Sequence, residues 1–354
     1  MATTISPINS ARLAALRFPL VALVVYIHAR SGTITFGDGV VSVESAVLDT
    51  VKTALSEGVA RTAVPLFFLL SGYLLFHAQE GWSWSGFAAK LRRRVDTLLV
   101  PYLFWNIALY AMIAAAQSTS LRIFFSSSGV LRDMTWGQQA AWVLGLQRYP
   151  IAYQFWFIRD LMILVLLAPA FFLLARRVPV AVVVTAVLGL CWMVDWWPID
   201  IPAIEAALFF FVGVVAGVHG RNLFRGLPLI PVMLGYGVLL AAFLLSRGTR
   251  IESFVQHGLV ATGIVLAVAI VRSLPPLALQ RLASLAGASF FVFATHEPLT
   301  TALLKISYRV FPISPGMALA VYLLVPLVVI AITLVGYRIA LALAPSLTRR
   351  VTGR

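Results

Sequence analysis

Residues 317–343 read MALAVYLLVPLVVIAITLVGYRIALAL, an apolar run broken by one charge, Arg338. As a helix at about 1.5 Å per residue, it is long enough to cross the roughly 30 Å hydrocarbon core of a bilayer. Nine more apolar runs lie upstream, at roughly 13–29, 59–77, 98–117, 157–175, 179–196, 203–219, 228–245, 255–271 and 286–304. The third is the softest, because Asn106 and Gln117 interrupt it. Across the 354 residues, 61% are hydrophobic and 11% charged. An ordinary soluble domain is about 45–50% apolar and about 25% charged. The polar sequence left over is too small to cover one soluble core that hid all ten runs. The fold class is therefore all-α, a polytopic membrane bundle of about ten transmembrane helices. It is read as a single domain over 1–354, with no internal repeat and no separate soluble domain. The first run ends in Tyr26, His28 and Arg30 rather than in small residues, so no cleavable signal is expected there.

Charge sets the orientation. The net charge is +14. In a membrane protein this fits loops that orient helices and meet anionic lipid, and no nucleic-acid partner is expected. With the N-terminus inside, the short inner segments hold Arg12, Lys90, Arg92, Arg93, Arg94, Arg176, Arg177, Arg349 and Arg350, with Glu80 and Asp96 as their only acids. The outer segments mix bases such as Lys52, Arg122 and Arg148 with most of the acids, among them Asp38, Asp195 and Glu252. Both termini are then cytoplasmic, and the expected location is the cytoplasmic membrane of a bacterium. Two outer segments, 30–58 and 118–156, are long, and the second carries Ser-Ser-Ser-Gly at 126–129. Long loops of this kind often form lids or binding elements. Asp195-Trp196-Trp197-Pro198 reads as an interfacial aromatic belt. Cys191 is the only cysteine, which excludes an internal disulfide and argues against a cysteine metal site.

Charged groups at membrane depth are costly, so each is a functional candidate. Arg17 and His28 are eleven residues apart, three helical turns to within about 20°, and so share a face roughly 16 Å apart along the axis. Singly, Arg17 also reads as a snorkelling cation and His28 as an interfacial histidine. Pro65 to Tyr73 contains Ser71-Gly72, which suits close helix packing or a backbone open to a ligand. Lys90-Leu91-Arg92-Arg93-Arg94 is both an orientation signal and a place for phosphates. Arg159-Asp160 reads either as structural or as lining a polar cavity. In Ser289 to Pro298, His296, Glu297 and Pro298 fall together, where the proline frees backbone groups and suggests a cavity wall. His77, His219 and His257 lie near run ends and are given no catalytic role. The histidines lack metal-ligand spacing, and no metal is expected.

Taken in order, these residues resemble the acyltransferase 3 family of membrane O-acyltransferases over nearly the whole chain. Arg17 and His28 match its Arg-x10-His signature. Phe67 to Tyr73, the basic loop leading to Pro101-Tyr102, Trp156 to Leu161 and Phe290 to Pro298 follow in the family's order. One departure is Thr97, where the family often has an arginine; Asp96 precedes it. The contact with acyl-CoA made there is then expected to shift to Arg92, Arg93 or Arg94. Some members carry a fused hydrolase-like domain, which is not expected here.

The resemblance implies transfer of an acyl group, usually acetyl from cytoplasmic acetyl-CoA, to a hydroxyl of an outward-facing glycan or lipid-linked saccharide. Acyl-CoA is the donor substrate, and no permanently bound cofactor is implied. Arg17, Ser71, Gly72, Tyr73, Arg92, Arg93 and Arg94 are the candidate acyl-CoA contacts. His28 is the candidate base, oriented by Glu297 or Asp160. Arg159 or Ser71 would stabilise the oxyanion, and Trp156, Tyr153, Tyr149 and His296 would meet the acceptor. The competing class is a glycolipid transporter or flippase, which often shows repeated halves or broken helices in pairs; a sensor or scaffold without catalysis is a further alternative.

Overall fold

A computed structural model describes residues 5–30, 33–36, 39–77, 83–119, 131–146, 149–226 and 228–354. Asp38, Glu80, Arg122, Arg148 and the Ser-Ser-Ser-Gly at 126–129 lie outside the described residues.

The chain opens with α1, Pro7–His28, followed by β1, Thr33–Phe36, and β2, Gly39–Ser42. α2, Ala46–Lys52, continues through a π-helical stretch at Thr53–Val59 and a 3-10 turn at Ala60–Thr62 into α3, Ala63–Phe76. α4, Trp84–Arg94, runs through a second π-helical stretch, Val95–Leu99, into α5, Val100–Gln117. Then come α6, Trp136–Leu144, α7, Trp156–Leu166, α8, Ala168–Ala175, α9, Val178–Met193, and α10, Ile204–Val218. The rest is α11, Leu229–Leu245, α12, Glu252–Ser273, α13, Pro276–Leu285, α14, Ser289–Val310, α15, Pro315–Leu343, and α16, Pro345–Val351.

The fold is helical with one small departure from the all-α expectation. β1 and β2 form a two-stranded antiparallel ribbon, in register from Thr33 opposite Ser42 to Phe36 opposite Gly39. The β-branched residues Thr33, Ile34, Thr35, Val40 and Val41 favour extended backbone there. Each apolar run read from the sequence is helical, the fourth being divided between α7 and α8. Five helical segments are long and apolar enough to cross a membrane: Pro7–His28, Ala46–Phe76, Trp84–Gln117, Glu252–Ser273 and Pro315–Leu343. Two bent pairs raise this to seven, Tyr153–Leu166 with Ala168–Ala175 and Pro276–Leu285 with Ser289–Val310, each bent by 62°. Pro169 explains the first bend, since it cannot donate within the turn it interrupts. α9, α10 and α11 are apolar but shorter. The outer segment expected at 30–58 is partly helical: from Ala46 it continues without a break into the second run.

The chain divides into two compact units. The first comprises 1–27, 49–91 and 163–289. Its tightest contact joins α3 to α10. A Cβ added at Gly72 would lie 2.1 Å from the carbonyl oxygen of Phe210, and one at Gly213 would lie 2.0 Å from that of Leu69. Only glycine lets the two backbones approach so closely, the small-residue packing common between membrane helices. Gly72, read as a packing site or a ligand approach, is thus filled by α10. The Ser71 hydroxyl turns back to the Phe67 carbonyl at 2.8 Å, and the Tyr73 ring lies 4.6 Å from that of His77. His219 meets the Ala175 carbonyl at 2.9 Å, and His257 lies 3.5 Å from Asp195 and 4.3 Å from the Trp192 ring. His77 and His219 follow α3 and α10 directly, and His257 joins α12 to the end of α9.

The second unit comprises 28–48, 92–162 and 290–354. α6 is bounded by local chemistry. Thr135 and Gln138 form a capping box at its start, and Gly145 ends it in the left-handed region at φ 65°. Ile113, Leu131 and Ile151 form a small core with Trp142 and Val143 packed on it, which seats α6 against α5. At the other end of α5, the Trp105 indole donates to the Val351 carbonyl at 2.9 Å and ties α16 down.

Candidate active site

The second unit gathers several of the residues singled out from sequence. His28 is the last residue of α1, and its Nδ1 lies 2.5 Å from the Tyr153 hydroxyl. The His28 ring centroid is also 5.0 Å from that of His296 in α14. Tyr153 sits in a 3-10 turn, Tyr153–Phe155, that leads directly into α7. His28 is half-buried and Tyr153 is 39% exposed, whereas His296 is fully buried. The cluster therefore has an open side at His28 and Tyr153 and a closed floor at His296. Phe293 and Phe155 wall it, with ring centroids 5.2 Å apart, and Phe293 lies 6.1 Å from the His296 ring.

The floor follows from the sequence of α14. Pro298 has no N–H, so the Ala294 carbonyl one turn earlier lacks its usual helical donor. The side chain of Gln154 supplies one, donating from Nε2 at 3.3 Å. This bond joins the turn carrying Tyr153 to the helix carrying His296. Nδ1 of His296 lies 2.7 Å from the Phe293 carbonyl, and because a carbonyl can only accept, Nδ1 carries the proton. Glu297 is half-buried and accepts from the Thr301 hydroxyl at 3.0 Å.

The segment before Tyr153 is held from two sides. Asn106 is fully buried; its side chain donates to the Tyr102 carbonyl at 2.8 Å and accepts from the Ala152 N–H at 3.1 Å. Arg159 donates from Nε and Nη2 to Oδ1 of Asp160, at 3.0 and 2.8 Å, and from Nη1 to the Gly145 carbonyl at 3.0 Å. The Tyr102 hydroxyl donates to the neighbouring Leu144 carbonyl at 3.0 Å. The end of α6 and the turn before α7 are thus fixed by polar groups that are almost wholly buried. Gly145 is required there: a Cβ would lie 2.6 Å from the Tyr102 hydroxyl, in a backbone conformation that other residues avoid.

Of the expected site residues, His28, Tyr153 and His296 come together, with Glu297 beside His296 in the chain. Asp160 is paired with Arg159. Trp156 opens α7 three residues after Tyr153, and Tyr149 is 46% exposed on the preceding stretch. Arg17, Ser71, Gly72 and Tyr73 belong to the first unit, where Arg17 is exposed. Arg92, Arg93 and Arg94 close α4, the first two exposed, while Lys90 donates to the Leu75 carbonyl. Among the described residues, no three His, Cys, Asp or Glu side chains gather as metal ligands. Sequence reasoning took Asn106 only as an interruption of the third run and passed over Gln154. Both left a signal, a buried amide inside an apolar or aromatic run, which only a partner on another segment explains.

A family model described as "Acyltransferase domain" matches residues 11–338. The chain is also 27% identical over 320 residues to the succinoglycan biosynthesis protein ExoH of Rhizobium meliloti (strain 1021), covering 87% of this chain and 83% of that protein. No solved structure matches.

Proposed function

Since this chain belongs to the acyltransferase 3 family and is an integral membrane acyltransferase, we propose that it moves an acyl group, acetyl in the first instance, from cytoplasmic acyl-CoA to a hydroxyl of an extracytoplasmic glycan or glycolipid. The observation that carries this reading is the contact between His28 and Tyr153 at an open edge, backed by His296. When Nδ1 of His28 donates to the Tyr153 oxygen, Nε2 keeps its lone pair and faces the acceptor. The acceptor hydroxyl gives its proton to Nε2 as its oxygen bonds to the acyl carbon. The carbon–sulfur bond then breaks, and the CoA thiolate takes the proton back from the imidazolium. Glu297, next to His296 in α14, is the carboxylate that steadies the charged ring in this reading. Asp160 and Arg159 hold the turn on which Tyr153 sits.

On the donor side, Arg17 lies on the same helix as His28, eleven residues nearer its start. Charge-assisted bonds from Arg17 and from Arg92, Arg93 or Arg94 suit the phosphates of CoA. Ser71 and Tyr73 remain candidates for the same ligand, while Gly72 seats α3 against α10 instead. The glycan acceptor is supported by the similarity to a protein named for succinoglycan biosynthesis. Ten spans, both termini cytoplasmic and a bacterial inner membrane complete the proposal, in keeping with the basic inner segments.

The test uses purified protein in nanodiscs with radiolabelled acetyl-CoA and a crude glycan extract. Transfer of label to glycan by wild type, weakened donor binding in Arg17→Ala and lost turnover in His28→Ala support the reading. Movement of glycolipid with no consumption of acetyl-CoA would replace it with transport.

A further inference from the structure

Two buried hydrogen-bond acceptors beside the reacting centre have no donor among the described residues: Nε2 of His296 and Oε1 of Gln154. Both side chains are otherwise fixed. His296 donates from Nδ1 to the Phe293 carbonyl, and Gln154 donates from Nε2 to the Ala294 carbonyl. With its single N–H used at Nδ1, a neutral His296 presents a bare lone pair at Nε2. It can accept a hydrogen but has none to give, so it does not serve as an oxyanion donor in that form. A fully buried acceptor without a donor destabilises the fold, and native chains keep one where a ligand or a water fills it.

His296 lies next to the candidate base His28. Its ring centroid is 5.0 Å from that of His28. In the proposed reaction, His28 takes the proton of one acceptor hydroxyl. The oxygen atoms of adjacent hydroxyls on a sugar ring are little more than a hydrogen-bond length apart, a spacing that two rings at this separation can bracket. We propose that His296 Nε2, supported by Gln154 Oε1, is a hydroxyl-reading subsite that accepts the O–H next to the one acylated at His28. The acceptor is then a vicinal diol, and His296 determines specificity rather than the chemical step. This rests on the acyl-transfer reading above.

The experiment offers the nanodisc enzyme acetyl-CoA with methyl hexopyranosides as probes, together with their monodeoxy and mono-O-methyl analogues. Wild type, His296→Leu, His296→Gln and Gln154→Leu are compared. For wild type, the analogue lacking the neighbouring hydroxyl has a KM raised about tenfold, the loss of one hydrogen bond to a buried acceptor. His296→Leu raises KM for the parent sugar to that of the deoxy analogue and leaves the deoxy KM unchanged, with KM for acetyl-CoA unaltered. His296→Gln, which restores an acceptor, recovers part of the discrimination, and Gln154→Leu weakens it. Equal loss on parent and deoxy sugars in His296→Leu, or unchanged discrimination, overturns the subsite and leaves His296 as a structural or water-binding group. If wild type acetylates no glycoside while releasing CoA to a natural glycan extract, acyl transfer stands and the subsite for simple diols falls. If wild type consumes no acetyl-CoA at all, the reaction itself falls and the subsite with it.

Discussion

At the scale of single residues, the site depends on a few polar groups held where water is scarce. Tyr153→Phe removes the hydroxyl that meets His28 Nδ1. Turnover of acetyl-CoA should fall by about 10- to 100-fold, as expected for an acid–base pair that loses its orienting partner, with CoA binding kept. Unchanged turnover would separate Tyr153 from the chemistry. Asp160→Ala leaves the Arg159 guanidinium buried beside the Gly145 carbonyl without its carboxylate. Breaking such a pair costs about 3–5 kcal/mol, so the variant should melt far below wild type in detergent, and a melting point equal to wild type would contradict the structural role of the pair. Asp160 was legible in the sequence because a charge or histidine in an apolar run stands out, whereas Tyr153 entered only through the resemblance. His28, Arg159, Asp160 and His296 were found that way. Asn106 and Gln154 were harder to place. An amide is a weaker signal than a charge, and its reason lies on a distant segment, the Ala152 N–H for one and a carbonyl freed by Pro298 for the other.

At the scale of elements, helix packing is set by residues with almost no side chain. Gly213→Leu drives a side chain into the α3 backbone, where even a Cβ would be 2.0 Å from the Leu69 oxygen. Overpacking against rigid backbone should cost about 3 kcal/mol or more. The variant should aggregate or elute broadly on size exclusion. A Cβ added at Gly189 in α9 meets nothing within 4 Å, so Gly189→Leu should elute like wild type. Identical profiles for the two variants would refute the account of α3 against α10. Ser71-Gly72 was visible in the sequence as a possible packing motif, but its partner was not, because apolar helices of similar composition leave the choice of neighbour to shape. The bend after α7 and the ribbon of β1 and β2 were missed for a related reason. Apolarity fixes how long a run is, while one proline or a few β-branched residues fix where its direction changes.

At the scale of the whole molecule, composition alone establishes the membrane class, and the bias of Lys and Arg suggests its orientation. On a Cys191→Ala background, Trp84→Cys should react with an impermeant maleimide from the cytoplasmic side only, and Trp196→Cys from the opposite side only. Both positions are exposed. Labelling of both from one side would reject the arrangement of spans. Under the proposed function, that orientation would turn the basic inner segments toward the compartment that supplies acyl-CoA.

The most direct test of the central claim is a paired measurement on wild type and His28→Ala: calorimetric binding of CoA, and single-turnover release of CoA from acetyl-CoA in the presence of a glycan acceptor. The account predicts equal CoA binding, with release lost in the variant by about 100-fold or more. Equal release by both proteins would remove His28 from the chemistry and contradict the account.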